Sequence, residues 1–207
     1  MRPLPRLHAI TDAAVIDAED FPIRAAAIAA AGSAVALHAR DRTVGGAALV
    51  RVAQRLVALA RPPEASVIVN GRPDVAGALG AQGVQLGSAD LRPADARASF
   101  PRGWIGCSVH SAAEAEEAAE GGADFLLVGN VYETSSHPGR PGAGLALVRD
   151  TARLGLPVIA IGGVDAERAA AVRDEGAYGV AAIASLWRAA DPGAAALALL
   201  APWSEGL

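Results

Sequence analysis

Eight short runs of apolar residues recur along the chain at intervals of roughly 20 to 25 residues, and polar, Ala-rich segments separate them. Val, Ile and Ala occupy both faces of these runs, which is typical of parallel strands that are covered on each side. The pattern therefore predicts eight strands of one parallel sheet. They fall at residues 7–11, 34–40, 66–71, 83–87, 104–110, 125–131, 157–163 and 179–185.

Several of the intervening segments have helical periodicity, including residues 47–60, 111–122 and 165–176. The last two begin at Ser111 and Asp165, which are favoured N-cap residues, and end at glycine. Eight strand–helix units predict an α/β fold, a single-domain (β/α)8 TIM barrel over residues 1–207. A doubly wound open sheet is the alternative, because periodicity does not distinguish the two.

Charge and composition narrow the range of partners. The net charge of −4 argues against a nucleic-acid partner, which needs a clustered basic face. The sequence has no apolar run long enough for a transmembrane helix and no apolar region typical of a signal peptide, so we expect no membrane association. The lone cysteine, Cys107, permits no internal disulfide and suits a cytoplasmic location.

The basic residues exclude several kinds of chemistry. The chain has 18 Arg and no Lys. Schiff-base aldolases, pyridoxal-phosphate enzymes and P-loop NTPases all require a lysine amine. These three classes are therefore excluded.

Polar residues follow the apolar runs, and in a TIM barrel the C-terminal ends of the strands carry the active site. His38 and Arg40 end the second strand, and an arginine fork suits a phosphate or a carboxylate. Asn70 ends the third strand, and Ser108 and His110 end the fifth. We predict a site role for all five, although ion pairing, turn formation and helix capping remain alternatives.

A phosphate site is predicted at the last two strands. Gly162 and Gly163 end the seventh strand and Ser185 ends the eighth. Glycine lets backbone N–H groups approach an anion, and the loops after strands 7 and 8 commonly bind phosphate in this fold. The alternative is that the glycines only form a tight turn. Gly142 is included among the predicted phosphate-binding residues.

The segment 132–144 is longer than a typical connection and has Gly and Pro on both sides of Arg140. Such a loop after a buried strand is typical of a lid that closes over the substrate. We therefore predict a lid in which Arg140 binds an anionic substrate.

The order of the motifs LHAITD, HARDR, NGRPDVA, GVQL, SVHS, VYET and PVIAIGG resembles the thiamin phosphate synthase superfamily over nearly the whole chain. Within it, the chain looks closer to the TenI-like thiazole tautomerases. The resemblance implies a (β/α)8 barrel that binds a small-molecule thiazole phosphate, and a homo-oligomer is expected. Synthases of this superfamily use Mg²⁺ to join hydroxymethylpyrimidine pyrophosphate to thiazole phosphate, whereas the tautomerases aromatise a thiazole carboxylate phosphate tautomer by proton transfer.

Departures from the synthase pattern favour the tautomerase. Synthases carry an aspartate that binds magnesium where this chain has Gly71, and lysines where it has Arg42 and His137. Mg²⁺ prefers carboxylate oxygens, and only Asp90 remains of the pair. We therefore expect an isomerase of thiamin biosynthesis, without a cofactor or a metal site. Asp90 and Mg²⁺ would matter only if the chain were a synthase.

The tautomerase resemblance has one difficulty, since the family histidine that moves the proton is replaced by Asn130. An amide has no useful proton affinity near neutral pH. The predicted catalytic residues are therefore His38, His110 and Asn130, with His38 the favoured acid/base and Asn130 orienting the substrate. The alternatives are a thiamin phosphate synthase and a non-catalytic protein that binds thiazole phosphate.

Overall fold

Eight parallel strands form a closed barrel in which each strand pairs with its neighbours in chain order and the last closes on the first. This computed structural model describes residues 3–41, 43, 45–134, 139 and 141–204. Direct pairing of the first and last strands confirms the predicted TIM barrel and excludes the open sheet. The strands are β1 (Leu7–Ile10), β2 (Val35–Ala39), β3 (Ser66–Asn70), β4 (Gly83–Leu86), β5 (Trp104–Val109), β6 (Phe125–Val128), β7 (Val158–Ile161) and β8 (Gly179–Ala182).

Helices surround the barrel. They are α1 (Ala13–Ile16), α2 (Phe21–Ala29), α3 (Gly46–Ala60), α4 (Pro73–Leu79), α5 (Pro93–Ser99), α6 (Ala112–Glu120), α7 (Leu145–Ala152), α8 (Ala166–Asp174), α9 (Ala184–Trp187) and α10 (Pro192–Leu200), with 3-10 turns at Gly32–Ala34 and Ala201–Trp203. Ser111 and Asp165 cap α6 and α8 by accepting hydrogen bonds from backbone N–H groups, as the sequence predicts. No helix within the described ranges is long and apolar enough to cross a bilayer.

The predicted strands extend too far at the C-terminal ends of β6, β7 and β8. The backbone leaves the ladder earlier, at Gly129, Gly162 and Ile183. Gly162 has a φ of +97°, which a β-strand does not accommodate. Ser185 consequently lies in the short helix α9 rather than at a strand end.

The strands separate two hydrophobic layers. Residues on one face pack against the helices, whereas the barrel interior holds a second cluster that consists of Leu4, Ile10, Ala36, Ile68, Trp104, Phe125, Leu127, Ile159 and Ala181. Four polar residues are buried in strands β1 to β4, namely His8, His38, Ser66 and Gln85. Buried polar groups need hydrogen-bond partners. Hydrogen bonds connect His8, His38 and Gln85 to polar residues at the C-terminal end of the barrel.

Candidate active site

A cavity of about 960 Å³ opens at the C-terminal ends of the strands. This volume is within the range of small-molecule sites. The structure brings many of the predicted site residues into its lining. They are Arg40, Asn70, Ser108, His110, Asn130, Gly162, Gly163 and Ser185.

Other predicted residues lie elsewhere. His38 is fully buried and is not part of the cavity lining. Gly142 is also absent from the lining, and it packs so closely on Val131 that an added Cβ would lie 2.3 Å from the Val131 carbonyl oxygen. Arg140 lies outside the described residues, together with much of the predicted lid.

Thr11 joins the ends of β1 and β2 beneath Arg40. Its hydroxyl oxygen accepts a hydrogen bond from the Arg40 N–H at 3.0 Å. The same oxygen lies 2.9 Å from the His38 carbonyl oxygen and 2.8 Å from that of Arg40, and it can donate its proton to either. The backbone of Arg40 is therefore fixed where its side chain enters the cavity lining.

A buried pair of histidines lies next to Asn70. His38 Nε2 lies 2.8 Å from His8 Nδ1, and His38 Nδ1 lies 3.1 Å from the amide oxygen Oδ1 of Asn70. Burial lowers the pKa of His8 to about 4. Burial, and then the neighbouring His8, holds the pKa of His38 well below its usual value. Both rings are therefore neutral near pH 7, and His38 reaches the cavity only through Asn70.

His8 was not predicted from the sequence. The available signal was strand alternation, because His8 is two residues from Ile10 and so shares the face of β1 that points into the barrel. A histidine on an interior face next to a second interior histidine is an unusual arrangement. Pairing the two required the β1–β2 register, in which His8 lies opposite Ala36 and Ile10 lies opposite His38.

Gln85 sets the hydrogen-bonding role of Ser108. The Gln85 amide nitrogen lies 3.3 Å from the Leu86 carbonyl oxygen, which can only accept a hydrogen bond, and 3.1 Å from Ser108 Oγ. The amide therefore donates to Ser108, whose own proton is left for a ligand in the cavity. Cys107 alternates with Ser108 and is buried in the outer layer.

His110 is held at the rim of the cavity by the backbone of β6. Its Nδ1 donates to the Gly129 carbonyl, and its backbone N–H donates to Glu114 Oε2 at 2.7 Å. A carbonyl only accepts, so the ring carries a proton on Nδ1. His110 thus supports the turn into Asn130 while it lines the cavity.

The residues of the predicted anion site lie together at the ends of β7 and β8. Gly162 and Gly163 have φ values of +97° and +64°, and both line the cavity. The Ser185 hydroxyl donates to the Val164 carbonyl at 2.8 Å, so its oxygen can still accept. This geometry places glycine backbone and a hydroxyl together at the usual phosphate position of the fold.

Two cavity-lining arginines were not predicted from the sequence. Arg168 donates from Nη1 to the Gly163 carbonyl at 2.7 Å, and its guanidinium lies 4.8 Å from the centre of the Tyr132 ring. Arg188 approaches Asp12, with 3.9 Å between Nη2 and Oδ2. Arg168 follows Gly163, and Arg188 follows Ser185, by about one helical turn. This spacing could have identified both arginines from the sequence. Their guanidinium groups can bind an anion, although Asp12, Glu133 and Asp165 also line the cavity.

Of the two carboxylates that the resemblance to synthases implies for magnesium, this chain retains Asp90, which does not line the cavity itself, although Gly87 and Ser88 of the same loop do. Asp90 accepts a hydrogen bond from the Gly87 N–H at 2.7 Å, and a Cβ on Gly71 would lie 2.9 Å from Asp90 Oδ1. Among the described residues, no three His, Cys, Asp or Glu side chains lie close enough to hold a metal by themselves. Mg²⁺ is commonly bound by one or two carboxylates together with substrate phosphates. Asp90 therefore fits a site that a phosphorylated substrate completes.

Known proteins resemble this chain over most of its length. The family described as thiamine monophosphate synthase matches residues 7–186. A thiamine-phosphate synthase from Thermus thermophilus is 41% identical over 173 residues, which are 83% of this chain and 84% of that protein. Another from Chlorobium phaeovibrioides is 38% identical over 196 residues, 93% of this chain and 94% of that protein. The solved thiamine phosphate pyrophosphorylase from Pyrococcus furiosus is 31% identical, with a TM-score of 0.81 and coverage of 98% and 96%.

These similarities correct the expected activity. The resemblance to the wider superfamily is confirmed, but the prediction of a tautomerase, and hence of an isomerase, is wrong. The curated relatives are named for a synthase, which is a transferase. The departures at Gly71 and Asn130 therefore do not decide the activity.

Proposed function

The chain belongs to the thiamine monophosphate synthase family, and from that premise we propose that it is a thiamine-phosphate synthase. It would join hydroxymethylpyrimidine pyrophosphate to thiazole phosphate and release pyrophosphate. The observation that carries the proposal is the shared name of relatives that align over most of both chains. The cavity supports it, because it has cationic or anion-binding groups at both β2 and β7–β8.

Each anionic substrate would occupy one of these regions. We assign the thiazole phosphate to Gly162, Gly163 and Ser185, next to Arg168. The pyrophosphate would lie near Arg40, which follows β2. In the closed barrel β1 lies between β2 and the β7–β8 region that would bind the thiazole phosphate. The thiazole nitrogen and the pyrimidine methylene carbon would then meet in the middle of the cavity, where Ser108 and Asn130 can hold the rings.

The reaction places few demands on acid/base groups. A ring nitrogen of the thiazole attacks the methylene carbon of the pyrimidine, and the carbon–oxygen bond to pyrophosphate breaks with its electron pair. No proton is transferred in this step, so Asn130 needs no proton affinity. Negative charge grows on the leaving pyrophosphate, and a guanidinium such as that of Arg40 stabilises that charge. A magnesium ion held by Asp90 and the pyrophosphate would supply further charge neutralisation when bound.

Arg40→Ala should reduce kcat/KM for pyrophosphate release by about 10- to 100-fold, which corresponds to the loss of a charge-assisted hydrogen bond. The assay mixes both substrates with Mg²⁺ and measures released pyrophosphate. Arg102→Ala is the matched control, because Arg102 is exposed just before β5, at the opposite end of the barrel. The proposed synthase function would be contradicted if the native chain and Arg102→Ala both failed to release pyrophosphate.

Asp90→Asn should raise the Mg²⁺ concentration for half-maximal activity by about 10-fold, because a neutral amide is a weaker magnesium ligand than a carboxylate. An amide oxygen can still accept from Gly87, so the loop should keep its shape. Asp95→Asn removes a charge from an exposed position in the first turn of α5 and serves as the control. Identical magnesium dependence of all three proteins would remove Asp90 from the proposal.

Two further expectations remain predictions. A non-catalytic binder would show a rise in melting temperature with thiazole phosphate but no pyrophosphate release under any condition. The homo-oligomer predicted from the resemblance is tested by measuring the mass in solution.

A further inference from the structure

A chain of hydrogen bonds runs from the backbone before β1 to the wall of the cavity. We call its four members, the Pro5 carbonyl, His8, His38 and Asn70, the relay. The distances are 3.1 Å from the Pro5 oxygen to His8 Nε2, 2.8 Å from His8 Nδ1 to His38 Nε2, and 3.1 Å from His38 Nδ1 to Asn70. Both imidazoles are fully buried, so bulk water cannot replace these hydrogen-bond partners.

The carbonyl at the start of the relay fixes the first ring. A carbonyl oxygen only accepts hydrogen bonds, so His8 must carry a proton on Nε2 to bond Pro5. A neutral imidazole has one N–H, which leaves His8 Nδ1 as an acceptor. His38 Nε2 must then donate to it.

The proton on His38 Nε2 also determines what the other ring nitrogen, Nδ1, can do. With its one proton on Nε2, the neutral His38 ring has an unprotonated Nδ1, which can only accept. The Asn70 atom facing it in the structure is Oδ1, which also only accepts. A half-turn of the amide exchanges Oδ1 and Nδ2 without moving any other atom, and it satisfies both groups.

Other proton arrangements are less favourable. Reversing the donors would let Asn70 keep Oδ1 on His38, but it would set the lone pair of His8 Nε2 against the Pro5 oxygen at 3.1 Å. A buried polar contact of that kind costs the desolvation of both groups. Adding a proton to satisfy every contact would charge the buried pair, and burial lowers the pKa of His8 to about 4.

We propose that the relay is a positioning device that directs the Asn70 carbonyl oxygen into the cavity. Asn70 then accepts a hydrogen bond from an N–H or O–H group of the ligand and disfavours a phosphate oxygen at that point. His38 and His8 act through Asn70 and are positioning residues. The proton arrangement stands independently of the reaction, whereas its effect on turnover rests on the proposed synthase function.

The tautomers can be observed directly in the native chain. Long-range ¹H–¹⁵N correlation spectra of ¹⁵N-histidine protein near pH 7 distinguish the two neutral tautomers, and His8→Gln and His38→Gln variants assign the signals. We expect both His8 and His38 to be neutral and protonated on Nε2. Protonation of His38 on Nδ1, whether as the other tautomer or as the charged ring, would overturn the proposal.

Asn70→Asp provides a second spectroscopic test. A carboxylate cannot donate to a bare Nδ1, so His38 should gain a proton on Nδ1 in this variant. If Asn70 instead accepted from His38 in the native chain, the carboxylate would accept the same proton and the His38 signals would keep their pattern. Asn130→Asp is the control, because Asn130 lines the same cavity and its amide donates to the Tyr132 carbonyl. It should leave the His38 tautomer unchanged.

Kinetics test the positioning role. His8→Phe removes the acceptor of His38 and should raise the KM of the substrate that contacts Asn70 by about 10-fold with a smaller change in kcat. His8→Gln retains an acceptor and should restore much of the affinity. Ile68→Val is the control for barrel packing, since Ile68 is buried in the interior opposite His38 in the β2–β3 register. A KM for His8→Phe equal to that of Ile68→Val would overturn the positioning role, even with the expected tautomers.

Discussion

Gly162→Ala should lower the free energy of unfolding by about 2 to 5 kcal/mol. About 1 to 2 kcal/mol comes from placing a side chain in the left-handed region, since Gly162 has a φ of +97°. Overpacking adds about 1 to 3 kcal/mol, because the new Cβ would lie 2.3 Å from the Asn130 Cβ and 2.6 Å from its Cα. Urea denaturation of the two proteins measures the difference.

The same substitution should lower kcat/KM for pyrophosphate release by at least about 100-fold, because a shift of about 1 Å in a site can cost that much. Asn130 and Gly162 both line the cavity, and the clash forces one or both backbones apart. The Tyr132 N–H donates to the Gly162 carbonyl at 2.9 Å, so the start of the loop after β6 should shift as well.

Gly122→Ala separates the two causes. Gly122 has a similar φ of +89°, but an added Cβ would meet no atom within 4 Å. This control should lose only the conformational contribution of about 1 to 2 kcal/mol and keep full activity. Equal losses of stability and activity in both variants would show that the contact with Asn130 has no part in the effect.

The sequence predicted the barrel and the edge that carries the site because both follow from local patterns. Apolar runs such as SVIVN become strands buried on both faces, and parallel strands bring their C-terminal ends to one edge. Arg40, Asn70 and Ser108 could therefore be placed together before any contact was known. Ser185 was assigned to a strand because an apolar run does not show where the backbone leaves the ladder.

Contacts between strands could not be predicted in this way. The pairing of His8 with His38 depends on the register of β1 and β2, and the amide orientation of Asn70 depends on that pair. The role of Ser108 likewise depends on Gln85 in the neighbouring strand. These are properties of the assembled interior, and no local segment of the sequence contains both partners.

The error in the predicted activity has a chemical origin. Asn130 calls for a replacement acid/base only in a reaction that moves a proton. Gly71 removes one carboxylate of the synthase pattern, but one carboxylate together with substrate phosphates is a common way to bind magnesium. Single departures from a motif were thus given more weight than similarity along the whole chain.

Acidification from pH 6.5 to pH 4 should remove roughly 3 kcal/mol of stability through His8 alone, since each unit of pKa shift is worth about 1.4 kcal/mol. Burial lowers the pKa of His8 from 6.5 to about 4. Above pH 6.5 neither the folded nor the unfolded chain protonates it, so it has no effect there. Between these values the unfolded chain binds a proton that the folded chain does not, and stability falls until the folded pKa is passed.

Denaturation curves between pH 7 and pH 4 test this result. The pKa of His38 is lowered in the same direction, by burial and by His8, so it adds to the slope. His8→Gln should be less stable at pH 7, because it changes a buried hydrogen-bonded ring, but its stability should depend less steeply on pH. Ile159→Val should lose about 1 kcal/mol at every pH and keep the native slope, because it alters only apolar packing in the interior. A His8→Gln slope equal to that of the native chain would mean that the folded and unfolded chains protonate His8 at the same pH, and burial would then not keep the ring neutral below pH 6.5.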